Sequence, residues 1–216
     1  MSADTDEQQQ IGEQAVARLE RCMAGGGVAV LPTDTVYGVC CDPNDAQAAK
    51  RLYALKGRPA ARPAAVMFFA LEPALEMLGE LHHDESAALQ ALLPGPVTLL
   101  LANPAARFAP ACRTDPATLG LRVPRLPERL RALGSLSRPV MQTSANMSGE
   151  PDARTLAEVP QTMREGAELV LDGGELPGRP STVIDLRDFA EHRRWHVLRE
   201  GALPRDAVRA ALTSLD

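Results

Sequence analysis

Aromatic residues are scarce in this chain and make up 3% of its 216 residues. Proteins that hold single-stranded nucleic acid stack successive bases on exposed rings, and few residues here could do so. Alanine, leucine and valine dominate the hydrophobic fraction of 45%, so we predict an aliphatic core. A chain of this length buries roughly 70% of its unfolded surface, which is enough for a core without disulfides or a structural metal.

Long apolar runs are missing as well. The first ten residues are polar and acidic rather than basic and then apolar, which argues against a secretory signal. No run approaches the length of a membrane span, and the mean hydropathy of -0.14 is that of a globular chain. We therefore expect a cytoplasmic protein that makes no contact with a membrane.

Cysteine and positive charge are limited too. The cysteines Cys22, Cys40, Cys41 and Cys112 show no CxxC spacing, so we predict reduced, buried thiols rather than zinc ligands or disulfides. The net charge of -5 argues against a protein that coats nucleic acid, because non-specific affinity comes from neutralised phosphates. A local basic site remains compatible with this charge.

The familiar nucleotide-binding and hydrolase motifs are absent from the sequence. It contains no GxxxxGK[ST] loop and no GxGxxG fingerprint, and a GxSxG nucleophile turn is also missing. If the chain binds ATP, scattered arginine, lysine, serine and asparagine side chains must hold it.

Helical and strand patterns mix along the chain without strict alternation, and glycine and proline are frequent at the junctions. Helices are predicted over residues 5–24, 44–55 (with Asn44 as the cap), 72–80, 84–93, 127–133, 155–165 and 203–212. Strands are predicted over residues 28–31, 36–41, 64–69, 97–102, 119–123, 139–143, 168–171, 182–186 and 195–199. No linker or repeat divides the chain. We predict an α/β fold, a single twisted mixed sheet with flanking helices, in one domain over residues 1–216.

Six polar clusters follow or interrupt the predicted strands, where open α/β sheets place their ligands. They are PTDTVYG (32–38), KGRP (56–59, with Arg62 beyond), TLGLRVP (118–124), TSANMSG (143–149), STVID (181–185) and LREG (198–201). Hydroxyl-capped turns and solvated loops would explain several of them equally well. Lys56, Arg58 and Arg62 near a helix end also suit a polyphosphate. Arg122 is costly inside a strand unless it has an anionic partner.

Taken together and in this order, the six clusters resemble the YrdC family, the L-threonylcarbamoyladenylate synthases. The resemblance extends from about Val28 to about Gly201, which is nearly the whole chain. Each motif is short, but PTDTVYG, KGR-P, LR-P, SANMSG, STVID and LREG in one order are highly specific. The chain ends soon after LREG and so resembles the short form of the family.

The resemblance implies a YrdC-like fold and a nucleotidyl transfer from ATP. The threonine amine takes up CO2 derived from bicarbonate, and the resulting carboxylate attacks the α-phosphate of ATP. The products are threonylcarbamoyl-AMP and pyrophosphate, and the adenylate serves N6-threonylcarbamoyladenosine formation in tRNA. Fixed cations and Mg2+ stabilise the charge that builds up on the phosphoryl oxygens. The substrate supplies the nucleophile, so no catalytic side chain of the protein is expected.

The resemblance also assigns site residues. It places Thr35, Tyr37, Arg122 and Ser181 at threonine, with Arg122 on the substrate carboxylate. It places Lys56, Arg58, Arg62, Thr118, Ser144, Asn146 and Arg199 at ATP. Mg2+ is expected to enter with ATP, held mainly by phosphates and not by a protein metal site, and Asp185 is expected to be structural. A downstream tRNA threonylcarbamoyl transferase complex is the implied partner, and any affinity for tRNA itself is expected to be weak.

The sequence departs from the family pattern at two places, and two other functions remain open. Met67 stands where the family often has a histidine near threonine, and Asp152 begins a segment that replaces the usual Ser-Pro-Thr. The first alternative is a relative that makes another carbamoyl-adenylate, as in carbamoyltransferases and hydrogenase-maturation proteins. The second is a noncatalytic RNA-binding module, against which the net charge and the scarce aromatics count.

Overall fold

A computed structural model describes residues 10–57 and 62–215. Its α-helices are α1 (Glu13–Ala24), α2 (Ala46–Lys56), α3 (Leu71–Leu78), α4 (His83–Leu92), α5 (Ala109–Cys112), α6 (Gln161–Gly166), α7 (Phe189–His192) and α8 (Arg205–Thr213). Its strands are β1 (Ala29–Leu31), β2 (Gly38–Cys41), β3 (Ala65–Met67), β4 (Val97–Ala102), β5 (Thr118–Arg122), β6 (Val140–Ser144), β7 (Leu169–Val170), β8 (Thr182–Asp185) and β9 (His196–Arg199). Two 3-10 helices span Glu128–Ser135 and Leu156–Glu158.

The nine strands form one mixed sheet in the order β7-β1-β2-β6-β3-β5-β4-β8-β9. Parallel pairing joins β1 to β7, β3 to β5 and β4 to β8, and the other neighbours are antiparallel. The predicted single mixed sheet with flanking helices is therefore confirmed. The prediction of one domain over residues 1–216 stays a prediction.

Hydrophobic alternation explains how the central strands lie in the sheet. In β5 the side chains of Leu119 and Leu121 are buried, whereas Thr118 and Gly120 are partly exposed. The side chains of successive strand residues point to opposite faces, so one face of β5 packs against the core. The other face carries Thr118, Gly120 and Arg122; it is more open at Thr118 and Gly120, whereas Arg122 is buried.

Several predicted helices differ from the observed ones. The first begins at Glu13 rather than at residue 5, with Gly12 as its cap, and residues 5–9 of that prediction lie outside the described residues. The predicted helix 127–133 is a 3-10 helix over Glu128–Ser135.

The cap of α2 is Asp45, not Asn44, because the Asp45 carboxylate accepts hydrogen bonds from the amides of Gln47 and Ala48. The predicted helix 155–165 is divided into a short 3-10 helix and α6. Pro160 precedes the first residue of α6, and a proline disfavours the helical conformation of the residue before it.

The thiols agree with the prediction from sequence. All four cysteines are free; Cys40, Cys41 and Cys112 are buried and Cys22 is half-buried. Burial raises the pKa of each thiol, that of Cys41 to about 12. Thiols of this kind are poor nucleophiles, because the thiolate is the reactive form.

Candidate functional site

A cleft opens at the edge of the sheet where several of the polar clusters meet. It has a volume of about 160 Å³ and is lined by Val36, Pro63, Ala64, Ala65, Thr98, Arg122, Gln142, Thr143, Ser144, Pro180, Ser181, Val183 and Arg199. Its polar groups are two guanidinium groups, four hydroxyls and an amide, while its apolar wall consists of small aliphatic side chains. Such a set of donors suits a small molecule that carries a carboxylate or phosphate.

Arg122, the last residue of β5, is the most buried charge at this cleft. Its Nη2 atom donates to the Asp34 Oδ1 atom at 2.7 Å and to the Thr35 Oγ1 atom at 3.2 Å. Its Nη1 atom donates to the Gln142 Oε1 atom at 3.2 Å. The sequence predicted that an arginine in this strand needs an anionic partner, and Asp34 is that partner within the protein.

Burial affects both members of this ion pair. The side chains of Arg122 and Asp34 are 4% and 5% exposed. Burial lowers the pKa of Arg122 and raises the pKa of Asp34, and in each case the opposite charge of the partner counteracts the effect of burial. At a separation of 2.7 Å the two groups have the geometry of a charge-assisted hydrogen bond.

Ser181 lies on the other side of the cleft, at the start of β8. Its Oγ atom is 2.8 Å from the Thr98 Oγ1 atom, and both residues are buried. Arg199, at the end of β9, donates from Nε and Nη2 to the Ser181 carbonyl at 3.2 Å and 2.8 Å, and from Nη2 to the Ser181 Oγ atom at 3.2 Å. The STVID and LREG motifs therefore meet at this side of the cleft.

Gly201, the glycine of LREG, permits this meeting by its lack of a side chain. A Cβ atom at this position would lie 2.2 Å from the Pro180 carbonyl oxygen and 2.6 Å from the Ser181 carbonyl carbon. Both are backbone atoms, which cannot move aside as a flexible side chain can. The glycine is therefore required for the close approach of the two chain segments.

We expect Gly201→Ala to lower the free energy of unfolding by roughly 1–3 kcal/mol, because the new methyl group displaces the Ser181 backbone. Urea unfolding followed by circular dichroism measures the change. Gly134→Ala is the matched control, since its new Cβ would meet only the Phe69 carbonyl oxygen, at 3.9 Å. A loss in Gly201→Ala no larger than in the control would contradict the steric argument.

Lys56, the last residue of α2, contacts the segment that follows β6. Its Nζ atom donates to the Ser144 carbonyl at 2.6 Å, the Asn146 carbonyl at 2.8 Å and the Asn146 Oδ1 atom at 2.6 Å. The Ser144 Oγ atom also donates to Asn146 Oδ1 at 2.7 Å. Lys56 is 3% exposed, so its ammonium group holds the SANMSG segment against the end of α2.

A second group of charged residues lies along the same open face of the sheet. Thr118, at the start of β5, accepts a hydrogen bond from the Arg187 Nη1 atom at 3.2 Å. Arg187 also forms a two-pronged ion pair with Asp185, at 2.9 Å and 2.6 Å. Arg122 follows Thr118 by four positions, which amounts to roughly 13 Å along a strand. Gly120 lies between them, beside Ala65 and the Leu100 side chain.

The structure thus brings together part of the predicted site. Four of the predicted residues line the cleft: Arg122, Ser181, Ser144 and Arg199. Thr35 does not line it, but its Oγ1 atom accepts a hydrogen bond from Arg122. Lys56 and Asn146 are buried beside Ser144, and Thr118 lies at the far end of β5. Arg62 is exposed, and its carbonyl accepts a hydrogen bond from the Tyr53 hydroxyl at 2.7 Å. Arg58 lies outside the described residues.

Tyr37 is not where the sequence analysis expected it, because it does not line this cleft. Its hydroxyl donates to the Asp172 Oδ1 atom or the Gly174 carbonyl, at 2.8 Å and 2.9 Å, and accepts from the Gly173 amide at 3.0 Å. The side chain is fully buried. In β2 and the residues before it, side chains alternate between faces, so Tyr37 points away from the cleft that its neighbour Val36 lines.

Three residues of the site were missed by the assignment of roles from sequence. Thr98 is a lone hydroxyl in an apolar strand, which is a usable signal for a residue facing a polar site. Asp34 lies within the PTDTVYG cluster but received no role of its own. Gln142 gave no signal, since the sheet register pairs it with Cys40 and only its side chain reaches over Gly38. A Cβ on that glycine would lie 2.4 Å from the Gln142 amide nitrogen.

The two departures from the family pattern lie outside this cleft. Met67 is fully buried and pairs with Arg122 in the parallel register of β3 and β5. Asp152 lines a separate depression with Asn146, Glu150 and Glu158.

Among the described residues, no group of three or more His, Cys, Asp and Glu side chains is arranged to hold a metal ion. Nor does any helix there have the length and apolar character needed to cross a membrane.

The fold and the cleft together define a class: an α/β protein with a cleft on one face of a mixed sheet whose donors suit a small anionic or zwitterionic molecule. Comparison with known proteins narrows this class. The family Sua5/YciO/YrdC, described as Telomere recombination, matches residues 21–201. The chain belongs to this family.

Named relatives and a solved structure agree with this membership. The chain is 35% identical over 182 residues to the threonylcarbamoyl-AMP synthase of Chromohalobacter salexigens, covering 83% of this chain and 95% of the relative. It is 31% identical over 185 residues to the enzyme of the same name from Pyrococcus abyssi, covering 85% of this chain and 53% of that longer relative. The crystal structure of Sua5 from P. abyssi complexed with L-threonine superposes with a TM-score of 0.80 at 29% identity, over 94% of this chain and 58% of that one.

Proposed function

We propose that this protein is a threonylcarbamoyl-AMP synthase, an adenylate-forming nucleotidyltransferase. It condenses L-threonine, bicarbonate and ATP to threonylcarbamoyl-AMP and pyrophosphate for the modification of tRNA. The observation that carries the proposal is the cleft at which Arg122, Ser181 and Arg199 converge, in a chain that shares 35% identity with a relative of that name.

The cleft supplies what the amino acid needs. The threonine carboxylate pairs with the Arg122 guanidinium, because a guanidinium binds a carboxylate through directed, charge-assisted hydrogen bonds. The hydroxyls of Ser181 and Thr98 lie opposite and hold the polar end of the substrate. The small side chains of Val36, Ala65 and Val183 form the wall against which the threonine methyl group packs.

The open sheet face next to the cleft accommodates the nucleotide. ATP extends from Arg199 and Ser144 at the cleft along the sheet face, past Gly120, towards Thr118. The threonine carbamate attacks the α-phosphorus, the bond from that phosphorus to the bridging oxygen breaks, and pyrophosphate leaves. Arg199 at the cleft, together with Arg58 and Arg62 in the segment that follows Lys56, stabilises the negative charge that develops on the phosphates. Such stabilisation is the main contribution a protein makes to phosphoryl transfer.

Mg2+ is proposed to arrive with ATP. Around the cleft, the donor set of the described residues consists of hydroxyls, amides and guanidinium groups, which fits a cation carried by phosphate oxygens better than one caged by protein carboxylates. The ion supplies neutralising charge to the phosphates.

The cellular setting follows from the chemistry of the product. We propose a cytoplasmic enzyme that takes bicarbonate as the carbon source and passes the adenylate to a tRNA threonylcarbamoyl transferase complex. Its own affinity for tRNA is weak, because the net charge of -5 leaves little positive surface for phosphates.

The test is pyrophosphate release by the purified protein with ATP. We expect release only when threonine and bicarbonate are both present, because only their adduct carries the attacking carboxylate. Mass spectrometry should detect threonylcarbamoyl-AMP in the same mixture. Release without threonine would favour another carbamoyl-adenylate, and no release under any condition would favour a noncatalytic RNA-binding module.

Serine should be a poorer substrate than threonine. It lacks the methyl group that packs against the apolar wall of the cleft, and one missing methyl group is worth roughly 1–3 kcal/mol, or about 10- to 200-fold in kcat/KM. Parallel steady-state kinetics with the two amino acids measure the ratio. Equal kcat/KM values for serine and threonine would refute the proposal that the threonine methyl group packs against this wall.

A further inference from the structure

Asp34 is the buried carboxylate of the site, and it is fixed by two contacts. Its Oδ1 atom accepts from the Arg122 Nη2 atom at 2.7 Å, and its Oδ2 atom accepts from the backbone amide of Arg125 at 3.0 Å. The side chain is 5% exposed. Asp34 therefore joins the segment after β1 to the segment after β5, and it does so through both carboxylate oxygens.

These contacts determine which donors of Arg122 remain for a bound molecule. Nη2 donates to Asp34 and Thr35, and Nη1 donates to Gln142. The Arg122 Nε atom is buried and has no hydrogen-bond partner within residues 10–57 and 62–215. A buried donor without a partner costs about 1–3 kcal/mol, and Arg122 lines the cleft, so a ligand oxygen is a natural partner for Nε.

Two roles for Asp34 are conceivable on charge alone. As a competitor, it would occupy the guanidinium and have to leave before a substrate carboxylate binds. As a fixed counter-charge, it would stay and hold the guanidinium in one orientation. The Arg125 amide anchors the second carboxylate oxygen independently of Arg122, and burial leaves the side chain little room to withdraw. The contacts therefore favour the fixed counter-charge.

We propose that Asp34 is a positioning residue for the amino-acid substrate: it holds the Arg122 guanidinium so that the Nε atom is left for the substrate carboxylate. The proposal rests on the function proposed above. It assigns Asp34 no contact with threonine and no part in the chemical step. Its effect passes entirely through Arg122, which makes it measurable by a double-mutant cycle.

The experiment is calorimetry of L-threonine and of ATP binding to the wild-type protein, Asp34→Asn, Arg122→Lys and the double variant. Asparagine keeps the shape of the side chain, but its one carbonyl oxygen can satisfy either Arg122 or the Arg125 amide, not both. We expect Asp34→Asn to weaken threonine binding at least tenfold and to change ATP binding less than twofold. The double variant should bind threonine no more weakly than Arg122→Lys alone.

Each other outcome overturns the proposal. Unchanged threonine affinity in Asp34→Asn would show that Asp34 does not orient Arg122, and tighter binding would show that it competes with the substrate. If the loss of threonine affinity in the double variant equals the product of the two single losses, Asp34 acts independently of Arg122. If the wild-type protein itself neither binds threonine nor forms the adenylate, the proposed function fails, and this is distinguishable because the wild type is measured first.

A second variant keeps the test valid if Asp34→Asn does not fold. Asp34→Glu retains the charge but moves the carboxylate by one methylene group, so it changes orientation without leaving Arg122 unpaired. We expect threonine affinity to fall severalfold in Asp34→Glu with ATP affinity preserved. Wild-type threonine affinity in a folded Asp34→Glu protein would show that charge, and not position, is what Asp34 provides.

Discussion

Arg122→Lys is expected to weaken threonine binding by about 10- to 100-fold while leaving ATP affinity nearly unchanged. Lysine keeps the charge and can still pair with Asp34, but one ammonium group cannot serve Asp34, Thr35, Gln142 and a substrate carboxylate in the fixed plane of a guanidinium. Hydrogen bonds to charged groups are worth roughly 1.5–3 kcal/mol, and each 1.4 kcal/mol is a factor of ten in affinity. Isothermal titration calorimetry with each ligand gives both values.

Arg125→Lys provides the matched control for this substitution. Arg125 follows Arg122 by three residues and is exposed, and its contact with Asp34 is made by the backbone amide, which lysine retains. We expect less than a twofold change in threonine affinity in the control. Equal losses for threonine and ATP in Arg122→Lys would instead identify Arg122 as a residue that supports the structure in general.

Lys56→Met is expected to cost roughly 3 kcal/mol in the free energy of unfolding and to weaken ATP binding. Methionine is similar in length and apolar, but it leaves the carbonyls of Ser144 and Asn146 and the Asn146 Oδ1 atom without the ammonium that now satisfies them. Buried oxygens that lose their partner cost about 1–3 kcal/mol each, and partial relaxation reduces the sum. Urea unfolding measures the stability, and calorimetry measures ATP affinity.

The control for Lys56→Met lies on the same helix. Lys50 is exposed on α2, so Lys50→Met tests the loss of a lysine from this helix without the loss of buried contacts, and we expect a change within 0.5 kcal/mol. If Lys56 instead acts only through the ATP phosphates, Lys56→Met will have the same urea midpoint of unfolding as the wild-type protein, and only its ATP affinity will fall. That result would contradict the role of Lys56 in holding the Ser144–Asn146 segment.

Most of the fold could be predicted from local pattern. The apolar runs that became β1 and β4 predicted buried strands, and β4 was predicted with its observed bounds, residues 97–102. The cap of α2 was misplaced by one residue, because Asn and Asp are both good caps and only the backbone geometry distinguishes them. The short helices α5 and α7 were missed, since four residues are too few to show a helical period.

The candidate site could be predicted only in part. The motifs identified Arg122, Ser181, Ser144 and Arg199, which do meet at one cleft. Tyr37 was misplaced, because the motif PTDTVYG does not reveal which strand face each of its side chains takes. Gln142 and Thr98 entered the site through pairings between strands that are far apart in sequence. No local pattern encodes such pairings.

The sequence by itself determined the class of this protein: its aliphatic core, its helices and strands, and the polar clusters whose order indicates the family. It also determined that Arg122 needs an anionic partner, because Leu121 and Val123 flank it within a strand and its charge would otherwise be buried without compensation. Only the tertiary structure decided that this partner within the protein is Asp34, 88 residues away, and that Lys56 is enclosed by backbone oxygens. The physical reason is that burial and hydrogen-bond geometry arise from contacts between distant segments, which exist only once the sheet has formed.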